Sequence, residues 1–192
     1  MSNFPLITIS SPSGGGKSTI TQKILKSSRR FAKSISATTR SPRITEIDGR
    51  DYYFLSIEEF KAKITNNEFL EWEEVYQGVF YGTLNSEIQR IVQNSKIPIL
   101  TIDINGALEL KKKLNNNLLT IFLDVPNIEI LENRLKYRAT ETATELQKRL
   151  DRAKYELSFK NKFDVIIPNL EIRETVSKVI ACIDDFLHKL SL

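Results

Sequence analysis

Residues 9 to 19 read ISSPSGGGKST, three glycines followed by a lysine and two hydroxyls, directly behind the apolar run Pro5 to Ile9. Glycines let a backbone wrap closely around phosphate oxygens, and a helix that begins after such a turn aims its free N–H groups and the positive end of its dipole into the loop. Lys17 then reaches the β- and γ-phosphates as a point charge, and Ser18 offers a hydroxyl to Mg²⁺. Ser11, Pro12, Ser13, Gly14, Gly15, Gly16 and Thr19 complete the loop, whose ligand is ATP or GTP. The full pattern is Gly, four residues, then Gly-Lys-Ser or Gly-Lys-Thr. Gly16, Lys17 and Ser18 satisfy it, while Ser11 stands where the first glycine belongs. The strand-like run in front and the amphipathic run with Ile20, Ile24 and Leu25 behind favour a phosphate loop over an incidental turn.

A second anion seat is suggested by Arg40 and Arg43, which flank Ser41 and Pro42. Proline stiffens the turn, and two guanidinium forks suit bidentate recognition of a phosphate. A third basic group, Arg134 and Arg138 followed by Arg149, lies on helical patterns further along. A transferring phosphoryl group spreads negative charge over its equatorial oxygens, and arginines brought in on closure stabilise it while water is excluded. On their residues alone, both arginine groups read equally as solvated surface charge.

The elements that must position these groups follow from the apolar runs. Pro5–Ser10, Ile97–Ile102, Leu118–Val125 and Val165–Ile167 are short, β-branched and nearly unbroken, as strands buried on both faces of a parallel sheet are. Helical patterns follow them at Lys17–Lys26, Ile104–Leu114, Ile128–Tyr137, Thr142–Phe159 and Glu171–Leu190. The alternation predicts an α/β, doubly wound core. Between Phe31 and Thr83 the texture changes to shorter, alternating runs such as Tyr52–Leu55, with Ser56 and Glu59 spaced as a helix capping box. This stretch reads as a smaller mixed lobe inserted into the core, where an acceptor binds.

Composition bounds the rest. The chain has 192 residues, 41% hydrophobic and 27% charged, enough for one good core. Its formal charge of +4 comes from 28 basic and 24 acidic residues that are interspersed, unlike the concentrated basic face of a nucleic-acid binder. No apolar run approaches the roughly 18 residues of a membrane span, and no basic leader precedes Pro5. The single Cys182 forms no internal disulfide, so a reducing cytoplasm fits. Cys182 is expected on the apolar face of the last helix, Trp72 in packing, and the lone His188 in solvent.

Read in order, "SPSGGGKST", "SISATTRSPR", "GRDYYF", "EFLEWEEV", "YGT", "IDINGA", "RLKYRATET", "KRLDRAKYE" and "FDVIIPN" resemble the guanylate kinases over roughly residues 5 to 190. The resemblance implies a P-loop kinase core with a parallel sheet flanked by helices (about 1–30, 84–133 and 160–192), a small mixed GMP-binding lobe (about 31–83) and a helical lid (about 134–159). It implies transfer of the ATP γ-phosphoryl group to GMP with Mg²⁺, and no nucleic-acid or membrane partner. Monomer and homo-oligomer fit it equally. Arg40 and Arg43 would hold the GMP phosphate with Tyr52 and Tyr81, while Ser36, Glu71 and Thr83 would face the base. Guanine supports that placing independently, because its N1–H and 2-amino group are adjacent donors that one ionised carboxylate accepts together. Asp103 would lie between the two ligands, serving either the guanine or the metal's water. Arg138 and Arg149 would be the lid arginines with Lys17 at the reaction centre, and Asn169 would lie on the adenine side.

Four positions depart from the family's usual pattern: Thr101 in place of an Asp, Ala139 in place of a Gly after Arg138, Leu170 in place of an acid after Asn169, and one extra residue within Tyr76–Phe80. Two rivals remain on sequence: a guanylate-kinase-like interaction module, against which the intact Gly16-Lys17-Ser18 speaks, and a P-loop kinase for another phosphorylated acceptor such as a ribose bisphosphate.

Overall fold

The computed structural model describes residues 4–125, 127–136 and 143–191. Five parallel strands form the main sheet in the order β2-β7-β1-β8-β9, with β1 at Leu6–Ser10, β2 at Phe31–Lys33, β7 at Ile97–Leu100, β8 at Leu118–Asp124 and β9 at Val165–Pro168. The unbroken apolar runs are explained by this topology, because β1 and β8 are buried along their whole length. Alternate side chains of β1 serve opposite faces. Ile7 and Ile9 pack with Ile20 and Ile24 of α1 (Lys17–Ser27) and with Val179, Ile183 and Leu187 of α7 (Ile172–Lys189). Leu6 packs on the other side with Ala107 and Leu110 of α4 (Ile104–Leu114) and with Phe122 and Phe163.

A second sheet, β4-β3-β6-β5, is built from β3 (Ala37–Thr38), β4 (Tyr53–Phe54), β5 (Phe69–Tyr76) and β6 (Val79–Leu84). Helix α2 (Ile57–Thr65) covers it by inserting Phe60, whose ring stacks on Phe69 at 4.3 Å and lies 5.4 Å from Phe80. Both halves of the expected capping box form: the Glu59 N–H donates to Ser56 Oγ at 3.1 Å and the Ser56 N–H to Glu59 Oε2 at 2.7 Å. β2 belongs to the main sheet, so the second sheet starts at Ala37 rather than at the expected lobe boundary of residue 31. The residue counted as extra falls at the tip of the β5–β6 hairpin, where the pairing register shifts between Glu74 and Tyr76 and Gly78 takes a φ of +75°.

The two sheets are joined by α3 (Asn85–Gln93), a helix that the sequence patterns above do not include. Its Glu87 is buried and accepts hydrogen bonds from the Ile35 N–H, the Tyr53 hydroxyl and the Arg90 guanidinium, at 2.8–3.1 Å. Two further helices, α5 (Ile128–Lys136) and α6 (Ala143–Leu157), pack on each other through Leu131, Leu150 and Ala153. Cys182 is half-buried against the main core and His188 is exposed, as expected. Trp72 is 42% exposed, a correction to its expected packing role: its ring lies 6.3 Å from that of Phe80 and its open side lines a surface concavity with Leu108 and Phe159.

Candidate active site

The end of β1 and the start of α1 hold the glycine-rich loop. Gly14 and Gly16 sit at φ +80° and +92°, the left-handed region that glycine enters without strain. Gly16 is also hemmed in, because a Cβ there would lie 2.7 Å from the Asn169 amide nitrogen. The Gly15 N–H donates to the Pro12 carbonyl at 2.8 Å, and a Cβ on Gly15 would meet Ser11 Oγ at 2.6 Å. Ser11, in place of a glycine, is accommodated by turning its hydroxyl onto the Pro12 carbonyl at 3.0 Å. Its own carbonyl accepts from Lys17 Nζ at 3.0 Å. Burial lowers the Lys17 pKa, opposed by the nearby carboxylates of Glu156 and Asp103. Ser18 and Thr19 are exposed at the helix start, and the Ser18 hydroxyl has no partner among the described residues.

One cleft of about 520 Å³ runs from this loop to the second sheet. It is lined by Ser13, Lys17, Ser36, Arg40, Arg43, Tyr52, Glu71, Tyr81, Thr101, Asp103 and Arg149, so the chain brings residues from every part of its length to one wall. Arg40 donates through Nε to the Tyr81 hydroxyl at 3.1 Å, and its guanidinium lies 5.3 Å from the centre of the Tyr52 ring. Its outer nitrogens are engaged by Glu46 at 2.9 Å, which also accepts from the Arg43 backbone N–H at 2.8 Å. The Arg40 side chain keeps Glu46 below the usual carboxylate range. Arg43 is far more open, its side chain 76% exposed and 3.8 Å from Glu46.

At the other end of the cleft Glu71 is 5% exposed and accepts from the Thr83 hydroxyl at 2.6 Å. Burial raises its pKa to about 7, opposed by the Thr83 hydrogen bond and reinforced by Asp103. Strand alternation puts Glu73 on the same side as Glu71. Glu73 has one oxygen held by the Asn105 side chain at 2.7 Å and the other buried without a hydrogen-bond partner; burial and Asp103 push its pKa up as well. Asp103 accepts from the Gly106 N–H at 2.8 Å, in the first turn of α4. Thr101, where the family pattern has an acid, lines the cleft beside it.

On the far side of the loop a second cavity of about 480 Å³ is lined by Gly14, Gly16, Thr19, Ile20, Asn133, Arg134, Asn169 and Ile172. Asn169 closes its floor by donating to the Gly15 carbonyl at 2.7 Å, and Arg134 donates to the Asn169 carbonyl at 3.0 Å. Arg149 Nε donates to Ser13 Oγ at 3.1 Å. Arg138 lies outside the described residues. Sequence reasoning missed Glu46, Glu73, Asn133, Arg152, Glu156 and Ile172. For two of them a signal existed, because Arg149, Arg152 and Glu156 are spaced to share one helix face.

A family profile described as guanylate kinase matches residues 4–186. A guanylate kinase of Porphyromonas gingivalis is 42% identical over 185 residues, covering 96% of this chain and 98% of that protein. The chain belongs to the guanylate kinase family. A guanylate kinase of Mesomycoplasma hyopneumoniae strain J is likewise 42% identical over 190 residues, 96% of each chain. The crystal structure of guanylate kinase from Anaplasma phagocytophilum superposes with a TM-score of 0.76 at 31% identity, over 95% of this chain and 85% of that one. A gluconokinase from Sinorhizobium meliloti, at 14% identity and a TM-score of 0.50, shares the fold alone. The core sheet's loops, the second sheet and α6 converge on one cleft, and no described helix is long and apolar enough to cross a membrane.

Proposed function

We propose that this chain transfers the γ-phosphoryl group of ATP to GMP, and less well to dGMP, giving ADP and GDP, as a cytoplasmic enzyme of purine nucleotide metabolism. The observation that carries the reading is the buried Glu71 opening into the same cleft as Lys17 and Arg40. A cavity with a carboxylate at one end and cations along its wall fits a guanine base joined to a phosphate. Ionised Glu71 accepts from guanine N1–H and the 2-amino group, with Thr83 fixing its orientation and Ser36 and Asp103 beside it. Adenine offers no such pair of donors, so Glu71 would be left buried and unmatched, a cost of about 1–3 kcal/mol or more.

Arg40, Arg43, Tyr52 and Tyr81 hold the GMP phosphate, which takes over from Glu46 as the partner of Arg40. ATP lies across the loop, its phosphates on the backbone of Ser11 to Thr19 and its base in the cavity between Arg134, Asn169 and Ile172. Lys17, Arg138 and Arg149 meet the charge that develops on the transferring group. The attacking phosphate oxygen of GMP is already ionised, so no general base is needed and positioning carries the rate. The unpartnered, exposed Ser18 hydroxyl fits Mg²⁺, which takes few protein ligands and keeps several waters. Held there, the ion would supply positive charge that offsets the phosphates' negative charge.

A coupled ADP-release assay with ATP, Mg²⁺ and each of GMP, dGMP, AMP, CMP and UMP tests the assignment. GMP should turn over fastest and AMP, CMP and UMP scarcely at all; no turnover with any of them would turn the reading toward an interaction module. Glu71→Gln should raise the GMP KM roughly tenfold to hundredfold while leaving the ATP KM within about twofold. Equal effects on both would remove Glu71 from the base seat.

A further inference from the structure

Helix α6 contacts two separate parts of the molecule, the phosphate loop and the β5–β6 hairpin, through side chains on one face. Arg149 donates to Ser13 Oγ at 3.1 Å. One turn on, Arg152 donates to Glu156 Oε1 at 3.0 Å while its guanidinium lies 5.6 Å from the centre of the Tyr76 ring. Glu156 is 7% exposed and turns its other oxygen, Oε2, onto the backbone N–H of Ser13 at 2.8 Å. Tyr76 belongs to the tip of the β5–β6 hairpin, where the register shift occurs, and the same hairpin carries Glu71 and Tyr81.

We propose that Tyr76, Arg152 and Glu156 form a latch between the GMP-binding hairpin, α6 and the phosphate loop, in which Glu156 is a positioning residue that seats Arg149 at the transferring phosphoryl group. The latch rests on the guanylate kinase reading given above. A carboxylate only accepts, so its two oxygens divide the work: one fixes the loop through a main-chain N–H that no side-chain substitution removes, the other fixes Arg152. Seven residues separate Glu156 from Arg149, which puts them two turns apart on one side of the helix. Clamping Glu156 to Ser13 therefore sets the height at which Arg149 meets the loop.

The charge arrangement gives Arg152 a second duty. A carboxylate within reach of the phosphate loop repels an incoming polyphosphate, and Arg152 and Lys17 offset it. The outer face of Arg152 rests on Tyr76, so the guanidinium is held from both sides. A hairpin drawn in by bound GMP brings Tyr76 with it, and closure of α6 over ATP becomes dependent on the acceptor being in place. That dependence limits transfer of the phosphoryl group to water.

Steady-state kinetics of four variants, with dye pairs on α6 and the hairpin to follow closure, test the latch. Glu156→Ala should lower kcat roughly tenfold to hundredfold with the KM values for ATP and GMP changed much less, because the loss is in positioning rather than in binding. Arg152→Ala leaves Glu156 buried without its cation and should cost more than Tyr76→Ala. The double variant Arg152→Ala with Glu156→Gln keeps an oxygen for the Ser13 N–H and removes the stranded charge, so it should recover much of the kcat lost in Arg152→Ala. Tyr76 is 61% exposed, so Tyr76→Ala leaves folding intact; it should weaken GMP-driven closure in the dye signal and raise ATP hydrolysis relative to transfer. A Glu156→Ala protein with lowered thermal stability but kcat within twofold of the parent would reduce Glu156 to a helix staple and overturn the proposal, as would unchanged closure in Tyr76→Ala. Wild-type turnover of GMP tests the underlying reading separately.

Discussion

Gly106 in the first turn of α4 shows how closely the acidic wall of the cleft is built. A Cβ at this position would lie 2.7 Å from Glu71 Oε2 and 3.3 Å from Asp103 Oδ1, so the glycine exists to let two carboxylates approach a helix. Glycine to alanine inside a helix ordinarily stabilises by roughly 0.5–1 kcal/mol. Gly106→Ala should instead move Glu71 away from Thr83 and raise the GMP KM about tenfold or more, with little change in the ATP KM, measured by initial rates at saturating co-substrate. Residues that act through neighbours in the chain were legible in this way from sequence: Gly16, Lys17 and Ser18 follow a strand and open a helix within a few positions. Glu71 was not legible by itself, because Glu68, Glu73 and Glu74 offer the same chemistry nearby. Its selection depends on the Thr83 hydroxyl twelve residues on and on Gly106 from another element. Glu156 escaped notice for the same reason at longer range, since its partner Ser13 lies 143 residues away.

Among the elements, α2 is the clearest case of local coding. Ser56 and Glu59 satisfy each other's backbone N–H groups, and Phe60 alone of the helix is fully buried. Ser56→Ala should therefore cost about 1 kcal/mol, seen as a fall in the thermal midpoint of roughly 2–4 °C, while kcat and both KM values hold because α2 lines no part of the cleft. A large kinetic change would mean that α2 transmits its position to the GMP seat. Four strands of the main sheet, β1, β7, β8 and β9, were readable as short apolar runs, whereas β2, three residues of which only Phe31 is buried, offers no such run and was read as part of the lobe. The strands β3 and β4 are two residues each, too short to display any period, and they are held by pairing with β6 and with each other. Helix α3 was obscured by its own function: a buried Glu87 bonded to Ile35, Tyr53 and Arg90 interrupts what would otherwise be an apolar stripe with Ile88 and Ile91.

At the scale of the whole molecule, the carboxylates pull stability in opposite directions along the pH axis. Glu71 and Glu73 have pKa values raised by burial, to about 7 and about 8, so the folded chain binds more protons than the unfolded one from about pH 4.5 up to 7–8, and stability falls as pH rises through that window. Glu46, Glu87 and Asp164 are lowered by their cationic and hydrogen-bonding partners, and their contribution is lost as pH falls below the ordinary carboxylate range. Ligand-free protein should thus be more stable near pH 5.5 than at pH 8, by about 2 kcal/mol if Glu71 dominates, and melt at a correspondingly higher temperature. Glu71→Gln should flatten that slope, and on the proposed pairing of ionised Glu71 with guanine, GMP should stabilise the parent more at pH 8 than at pH 5.5. A melting profile that rises from pH 5.5 to 8 would contradict this. The order β2-β7-β1-β8-β9 carries a different consequence, one of timing. β1 emerges first from the ribosome, yet both of its neighbours, β7 and β8, are made about ninety and more than a hundred residues later. Synthesis places the β5–β6 hairpin, whose partners are adjacent in the chain, ahead of the strand pairs that flank β1. The hairpin that carries Glu71 and Tyr81 can thus pair while β1, whose end holds the phosphate loop, still waits for both of its neighbours to be made.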